Sequence, residues 1–171
     1  MSTELERLLR LDNGPFRRLA MRGHIRTYRL THGGKGGRII SDAGDRPVLL
    51  LTTIGRHSGK RRTVPLVYLD DHGTYLVVGA NAGRDQDPAW VHNLRAEPSA
   101  EVQIGRAHRD VRADFLTADE AAPVWLSLDR HNGLYPGMRA QTDRAFPVIR
   151  LVLNPTGTVD NTLGRPRPAT H

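Results

Sequence analysis

The residues best suited to chemistry are concentrated in one short turn between two apolar segments. Residues 55–62 have the sequence GRHSGKRR and hold four fixed cations, one hydroxyl, one imidazole and two glycines. Glycine lets the backbone turn its N–H groups toward a ligand, and arginines with a serine hydroxyl bind phosphate through charge-assisted hydrogen bonds. The turn is therefore a candidate anion site, and the alternative is a hairpin turn whose cations are only solvated. The candidate contacts are Arg56, His57, Ser58, Lys60, Arg61 and Arg62.

A second candidate set lies farther along the chain. Residues 77–83 have the sequence VVGANAG, and small residues after a strand allow a flat ring to lie close to the backbone. Trp90 and Asn93 are three residues apart, so they share one helix face. An indole beside an amide suits a heteroaromatic ring, and the alternative is that Trp90 only fixes its helix to the core.

Several common sites are excluded by the sequence. There is no cysteine, which excludes disulfides, thiolate zinc sites, iron–sulfur clusters and a cysteine nucleophile. The segment from Gly55 to Lys60 is one residue short of a P-loop, and Arg61 takes the place of the required Ser or Thr. Ser58 lacks the context of a nucleophile elbow. The eight histidines show no metal-ligand spacing, so no metal site is predicted.

The net charge of +7 originates in one segment. Residues 13–41 hold seven cations and no Asp or Glu, whereas the other 18 cations match the 18 acidic residues. Such a segment favours an anionic partner: lipid head groups, nucleic acid or the acidic tail of a cofactor. Low aromatic content and the lack of a known module argue against nucleic acid, and a solvated basic helix is the remaining alternative.

The expected cellular location rests on two features: the sequence has no long apolar run and no signal pattern. The longest apolar run is only four residues, Val48 to Leu51, which is too short to span a membrane. The first residues show no basic-then-apolar signal pattern. We expect a cytoplasmic protein that residues 13–41 could bring to the inner face of the membrane.

The pattern of elements predicts a small barrel. Apolar and β-branched runs predict six strands, at 47–54, 63–69, 74–79, 100–104, 107–116 and 146–153. Helices are predicted near residues 5–9, from Pro15 to about residue 32, over 88–96 with an Asp87 cap, and after a Thr117–Glu120 capping box. Pro65 indicates an edge or bulge position. Few, scattered helices do not suit a doubly wound sheet.

We therefore expect three segments along the chain: a basic helical segment over 1–45, a mainly β domain with flanking helices over 46–155, and an irregular tail over 156–171.

Three separated motifs resemble one family. They are LLLTTIGRHSGKRRTVPLVYL at 49–69, VVGANAGRDQDPAWVHNLRAEP at 77–98 and TDRAFPVIRLVLNP at 142–155. Together they resemble the deazaflavin-dependent nitroreductases, actinobacterial oxidoreductases that use coenzyme F420, over residues 16–155 in the same order and with similar gaps. The resemblance implies a six-stranded split β-barrel of the FMN-binding type.

The resemblance also implies roles for the candidate residues. By position, Arg56, Ser58 and Arg62 would bind the phosphate and acidic tail of F420, and Lys60 and Arg61 would add positive charge. His57 stands where the family usually has Lys, which predicts some pH dependence. The remaining predicted cofactor contacts, which border the ring or line its pocket, are Pro65, Val78, Gly79, Ala80, Asn81, Trp90 and Asn93. Ala80-Asn81 replaces the Ser-Lys common in the family, so a side-chain hydroxyl is missing there.

The implied reaction is hydride transfer from reduced F420 to a conjugated small-molecule acceptor. Tyr135 is the one tyrosine ahead of the 142–155 motif, where nitroreductases have several, and it is the candidate proton donor. A quinone or enone is therefore favoured over a nitro compound. The alternatives are an FMN-dependent split-barrel oxidoreductase and a non-catalytic protein that binds deazaflavin, heme or fatty acid. The sequence does not predict the oligomeric state.

Overall fold

The computed structural model describes residues 15–41 and 44–154. The helix predicted near residues 5–9 and the irregular tail predicted over 156–171 lie outside this part of the chain. The helices are α1 Pro15–Leu30, α2 Ala89–Ala96, α3 Ala118–His131 and α4 Tyr135–Arg139. The strands are β1 Arg38–Ser41, β2 Gly44–Ile54, β3 Arg61–Val67, β4 Leu69–Asp71, β5 Thr74–Val78, β6 Ser99–Ile104, β7 Ala107–Phe115 and β8 Val148–Leu153.

The strands form one antiparallel sheet that curls into a half barrel with a few flanking helices. Its order is β1-β2-β6-β7-β8-β5-β4, and β3 pairs with β2 outside this path. All six predicted strands are present, but the expected number was wrong because β1 and β4 add two. These strands have four and three residues, which is too short for an alternating pattern to show.

Strand β2 is buried on both faces. Leu49 and Leu51 point into a cluster with Trp90 and Val91, which we call the α2 core. Val48 and Leu50 point the opposite way, because successive side chains alternate across a strand, and pack with Tyr28 of α1 in what we call the α1 core. A third cluster, the α3 core, lies under α3 and α4. The continuous apolar run that predicted this strand reflects its two-sided burial.

Helix α1 is tied to the sheet through one buried phenol. The Tyr28 hydroxyl donates to the Val48 carbonyl at 3.0 Å and accepts from the Gly105 N–H at 3.1 Å. Burial raises the pKa of Tyr28, and the bond from Gly105 opposes the rise. Helix α1 belongs to the predicted basic segment over 1–45, yet it packs directly on β2. The boundary at residue 45 therefore stays a prediction about how the sequence divides. Across the described residues, no helix is long and apolar enough to cross a membrane.

Two local predictions about element ends had different outcomes. The Thr117–Glu120 capping box is confirmed, with Thr117 N–H donating to Glu120 Oε2 at 2.8 Å and Glu120 N–H donating back to Thr117 Oγ1 at 3.3 Å. The predicted cap of α2 was wrong: Pro88 is the N-cap residue and Asp87 makes no capping bond.

Pro65 has the predicted edge position, since among the described strands β3 pairs only with β2.

Candidate functional site

The turn between β2 and β3 is closed by its own backbone. The Gly55 N–H donates to the Lys60 carbonyl at 2.9 Å, and the N–H groups of Ser58 and Gly59 both donate to the Gly55 carbonyl, at 3.0 and 2.8 Å. Gly59 has a φ of +62°, and a Cβ on Gly55 would lie 2.8 Å from Ser58 Oγ. The two glycines that suggested an anion site are therefore also required for this tight bend.

The side chains of the turn form an exposed cationic group. Ser58 Oγ accepts from Arg62 Nη2 at 3.4 Å and from the Lys60 N–H at the same distance. Arg56 Nε donates to His57 Nε2 at 2.9 Å. Among the described residues, Arg56, Lys60 and Arg62 form no ion pair with an acidic side chain, so their charge is available to an anionic ligand.

Arg61 differs from its neighbours because it already has an anionic partner. Its Nη2 lies 3.0 Å from Glu101 Oε2 on β6, and Glu101 also contacts His108 Nδ1 at 3.3 Å. Burial raises the pKa of Glu101, but the hydrogen bonds from Arg61 and His108 outweigh burial, and the pKa lies below its usual value. Alternation along β3 puts Arg61 and Arg62 on opposite faces, so the turn divides its cations between two sides of the sheet.

Pro65 lies on the same face as Arg61 and is buried. Thr63, between them on that face, accepts a hydrogen bond from Arg29 of α1 at 3.3 Å. Val64, on the other face with Arg62, packs against the α2 core. The structure thus separates Pro65 from Ser58 and Arg62.

Asn93 joins α2 to the cationic turn. Its Oδ1 accepts from the Arg56 N–H at 3.1 Å, and its Nδ2 donates to Thr53 Oγ1 at 3.0 Å. Trp90, one helical turn earlier, is 6% exposed and packs in the α2 core. Asn93 therefore orients the turn, while the packing of Trp90 matches the core role that the sequence left open.

The predicted ring contacts after β5 lie on the other side of that strand from Trp90. Val77 packs with Trp90 in the α2 core, whereas Val78 and Ala80 pack with Tyr135 in the α3 core. Between the two clusters, a Cβ on Gly79 would lie 2.7 Å from Pro147 Cγ. The candidate residues thus form two groups separated by the thickness of the sheet.

Arg144 is a residue of this region that the sequence did not identify. Its Nη1 donates to the Gly79 carbonyl at 3.1 Å and to Asp87 Oδ1 at 2.6 Å. Nη2 donates to the Ala80 carbonyl at 2.9 Å and Nε to the Arg84 carbonyl at 3.0 Å. One guanidinium therefore holds the whole loop over residues 79–87. It belongs to the TDRAFP stretch, whose sequence was informative only as part of a family motif.

The same contacts explain why Asp87 does not cap α2. One of its oxygens binds Arg144 and the other binds Arg95 Nη1 at 2.6 Å. A carboxylate with two arginine partners has no oxygen directed at the first turn of α2, which is why it does not cap that helix. Nearby, Thr142 Oγ1 donates to Asp85 Oδ1 at 2.7 Å and adds a second link to the loop.

Tyr135 is almost fully buried, with 6% of its surface exposed. Its ring contacts Trp125 edge-on with centroids 6.1 Å apart. Burial raises its pKa, and a hydrogen bond with Asn132 and the charge of Arg46 partly oppose the rise. Arg46 is itself 1% exposed and donates to Asn132 Oδ1 at 2.7 Å. The phenol therefore stays protonated at neutral pH in a buried polar cluster.

Two cavities flank α4. One of about 420 Å³ lies between α4 and the loop after β5, and its walls include Ala82, Leu134 and Met138. The other, of about 630 Å³, lies under α3 beside Trp125 and Phe146. Neither includes a residue of the cationic turn, and the described residues contain no cluster of three or more potential metal ligands.

Comparisons with known proteins agree on one family. The sequence model of the F420H(2)-dependent quinone reductase family matches residues 20–154. An F420H(2)-dependent quinone reductase of Mycobacterium tuberculosis is 34% identical over 134 residues, which cover 77% of this chain and 88% of that protein.

Solved structures also resemble this chain, and one of them is named for the same cofactor. An F420H2-dependent reductase has a TM-score of 0.57 at 34% identity, covering 62% of this chain and 94% of the other. A protein described as a domain-swapped dimer has a TM-score of 0.58 at 27% identity, covering 78% of this chain and 98% of the other. The predicted resemblance to F420-dependent split-barrel oxidoreductases is confirmed, whereas nitro compounds as acceptors stay a prediction. With most of its length matched, this chain belongs to the F420H(2)-dependent quinone reductase family.

Proposed function

We propose that this protein transfers a hydride from reduced coenzyme F420 to a quinone-class acceptor. The observation that carries the proposal is the exposed turn over residues 55–62, where Arg56, Lys60 and Arg62 have no acidic partner among the described residues and Asn93 fixes the backbone. This arrangement suits a phosphate followed by an acidic tail, so the residues present fit the cofactor. When bound, the deazaflavin supplies the hydride, and the protein supplies binding and orientation.

Different residues would bind the cofactor, border its ring and donate the proton. Arg56, Ser58 and Arg62 bind the phosphate, and His57 and Lys60 add hydrogen bonding and charge. Residues 78–81 form the wall beside the ring, and α2 with Trp90 and Asn93 supports the turn. Tyr135 is the proposed proton donor, because burial keeps its phenol protonated at neutral pH; water is the other proton source.

Two adjacent arginines give a matched test of the cofactor site. Arg62→Gln removes a cation without an acidic partner, whereas Arg61→Gln removes one that is already paired with Glu101. We expect the Kd for oxidised F420 to rise at least about tenfold in Arg62→Gln, the worth of one charged hydrogen bond, and clearly less in Arg61→Gln. Trp fluorescence and F420 absorbance give both values.

The same titration distinguishes the alternatives. FMN has one phosphate and no acidic tail, so we expect it to bind more weakly than F420. Tighter binding of FMN than of F420 would contradict the proposal, as would equal losses in the two arginine variants. Binding of F420 without reduction of any quinone, enone or nitroarene would indicate a non-catalytic carrier.

We also propose that α1 contacts an anionic membrane surface. Its exposed face combines Leu19 and Leu30, which are 67% and 71% exposed, with Arg22 and Arg26 at helical spacing. Exposed leucines between arginines are typical of a helix that lies in the interface of a bilayer. The opposite face, with Tyr28, is fixed to the sheet.

Vesicle sedimentation tests this membrane contact. Each arginine near an anionic surface contributes about 1 kcal/mol, so Arg22→Gln/Arg26→Gln should reduce binding to phosphatidylglycerol-containing vesicles by about tenfold or more. Leu19→Ser/Leu30→Ser should weaken the same binding through lost apolar contact. Pure phosphatidylcholine vesicles are the control lipid, and Arg109→Gln, an exposed arginine of β7, is the control variant. Binding that neither double variant changes would exclude α1 as the contact.

A further inference from the structure

The larger of the two cavities lies between the first half of α3 and the residues that lead into β8. Its volume of about 630 Å³ falls in the range of small-molecule sites. Most of its walls are apolar, and they include Leu116, Ala121, Trp125, Phe146, Pro147 and Val148. None of its lining residues belongs to the turn over residues 55–62 or to residues 78–81, so the proposed cofactor contacts do not use this cavity.

Two aromatic rings in the cavity wall are held in place by arginines. Arg139 Cζ lies 4.4 Å from the centroid of the Trp125 ring, and Arg144 Cζ lies 4.7 Å from that of Phe146. Trp125 also contacts Tyr135 edge-on. Contacts of these kinds fix the orientation of a ring. The cavity is therefore formed before a ligand enters, which is typical of small-molecule sites.

The cavity carries excess positive charge. Arg95 and Arg139 line it, and none of its lining residues in the described part of the chain is acidic. Arg139 is balanced, because both oxygens of Asp129 bind it, at 2.9 and 2.7 Å. Arg95 is not balanced, because it shares the carboxylate of Asp87 with Arg144, each at 2.6 Å. Two guanidinium groups and one carboxylate leave one positive charge uncompensated.

Arg95 is the arginine of this pair that a ligand can reach. The Arg144 side chain is 14% exposed, and all three of its guanidinium nitrogens already donate to main-chain carbonyls or to Asp87. The Arg95 side chain is 48% exposed, and among the described residues it makes one hydrogen bond, from Nη1 to Asp87. Its Nε and Nη2 groups are left for a ligand. A guanidinium edge of this kind binds a carboxylate through two parallel hydrogen bonds.

We propose that this cavity binds a small monocarboxylate with an apolar body, at a ligand site separate from that of the proposed function. The carboxylate pairs with the Nε and Nη2 edge of Arg95, and the body lies against Trp125 and Phe146. Apolar walls gain free energy when carbon atoms replace water on them, whereas a second charge on the ligand would lose its hydration there without a partner. A flat ring and an acyl chain offer the same chemistry, and the test distinguishes them.

A first test uses calorimetry on the unmodified protein without F420. The probes are 2-naphthoate, octanoate and 2-naphthalenemethanol, an uncharged analogue with the same ring as the first acid. We expect 2-naphthoate to bind at least about fivefold more tightly than the alcohol, the worth of one partly exposed charged pair. The tighter of the two acids identifies the body as a ring or a chain. Equal binding of the acid and the alcohol, or no binding of either acid at millimolar concentration, would overturn the proposal.

A second test compares arginine variants. Arg95→Gln should weaken 2-naphthoate about fivefold and leave the alcohol unchanged, whereas Arg139→Gln should have a smaller effect because Asp129 already balances that charge. Arg130→Gln, an exposed arginine of α3 that does not line the cavity, is the control. Arg62→Gln should also leave 2-naphthoate binding unchanged. If the loss appeared in Arg62→Gln instead of Arg95→Gln, the acid would bind at the turn over residues 55–62 and the proposal would be wrong.

A third test locates the ligand. The sequence has two tryptophans, and the indole N–H resonance of Trp125 is the one that disappears in Trp125→Phe. We expect 2-naphthoate to shift this resonance and to leave that of Trp90, which is buried in the α2 core, in place. An unshifted Trp125 resonance at saturating 2-naphthoate would contradict the proposal.

Filling the cavity gives the last variant. Ala122 lines it from an exposed position of α3, so Ala122→Phe should block 2-naphthoate without disturbing the core. Ser127→Phe, at an exposed position of α3 that does not line the cavity, is the control. Both variants should bind F420 like the wild type, so this result is independent of the proposed function. A folded Ala122→Phe protein, by circular dichroism, with unchanged 2-naphthoate affinity would overturn the proposal.

Discussion

Neighbouring arginines in this protein have different chemical situations. Arg61 is paired with Glu101, whereas the Arg62 guanidinium, among the described residues, hydrogen-bonds the hydroxyl of Ser58 and no carboxylate. Composition showed that the turn over residues 55–62 is strongly cationic, but the division of those cations depends on strand alternation and on Glu101, which is 40 residues farther along the chain. Glu101 has no motif of its own, so its role could not be predicted from sequence.

Glu101 predicts a pH dependence of stability. Its pKa is lower in the folded protein than in the unfolded chain, so its contribution is present above the unfolded pKa and is lost as the pH falls through the folded pKa. We expect wild type to be more stable than Glu101→Gln by about 1 kcal/mol at pH 7, with the difference vanishing near pH 3. Urea unfolding at both pH values measures it, and a difference that grows in acid would contradict this assignment.

At the scale of elements, the longer strands and helices were predictable and the short ones were not. The strand over 47–54 and the Thr117 helix have strong apolar or capping patterns. In contrast, α4 has five residues and β4 has three, and their structure depends on what packs against them. The same dependence on tertiary packing limited the prediction of the site. The sequence suggested that Trp90 and the residues from Val78 onward line one pocket, but in the fold they lie on opposite faces of β5.

The capping box gives a prediction at this scale. Thr117→Ala removes the acceptor for the Glu120 N–H and the donor to its carboxylate. Loss of an N-cap side chain costs about 1 kcal/mol, and we expect that decrease in the free energy of unfolding by urea denaturation. Ser127→Ala, on an exposed position of the same helix, should change it by less than half as much. Equal effects would mean that the cap contributes nothing specific.

At the scale of the whole molecule, three tyrosines lie at separate points around the sheet, each with a pKa raised by burial. Tyr28 belongs to α1 and packs in the α1 core, Tyr68 lies just before β4, and Tyr135 begins α4 and packs in the α3 core. Burial is the largest cause of a raised pKa at each of them. These positions are distant in sequence, so their shared protection is a property of the assembled fold.

These tyrosines predict alkaline behaviour. Because their pKa values are higher in the folded state, the folded protein retains protons that the unfolded chain releases, and stability falls as the pH rises above the unfolded tyrosine pKa. We expect absorbance at tyrosinate wavelengths to rise late and together with unfolding. Tyr135→Phe should reduce the steepness of the loss in stability above that pKa. Complete tyrosinate formation in protein that is still folded would contradict the burial argument.

The separation of the two candidate groups by strand β5 has a consequence for how such proteins diverge. The proposed grip on the phosphate tail depends on β2, β3 and α2, whereas the wall beside the 420 Å³ cavity depends on Arg144 and α4. The two sides meet at Asp87, which binds Arg144 on one side and Arg95 of α2 on the other. On the proposed roles, substitutions around the cavity that spare Asp87 would alter the choice of oxidant while the residues that hold the reductant stay the same.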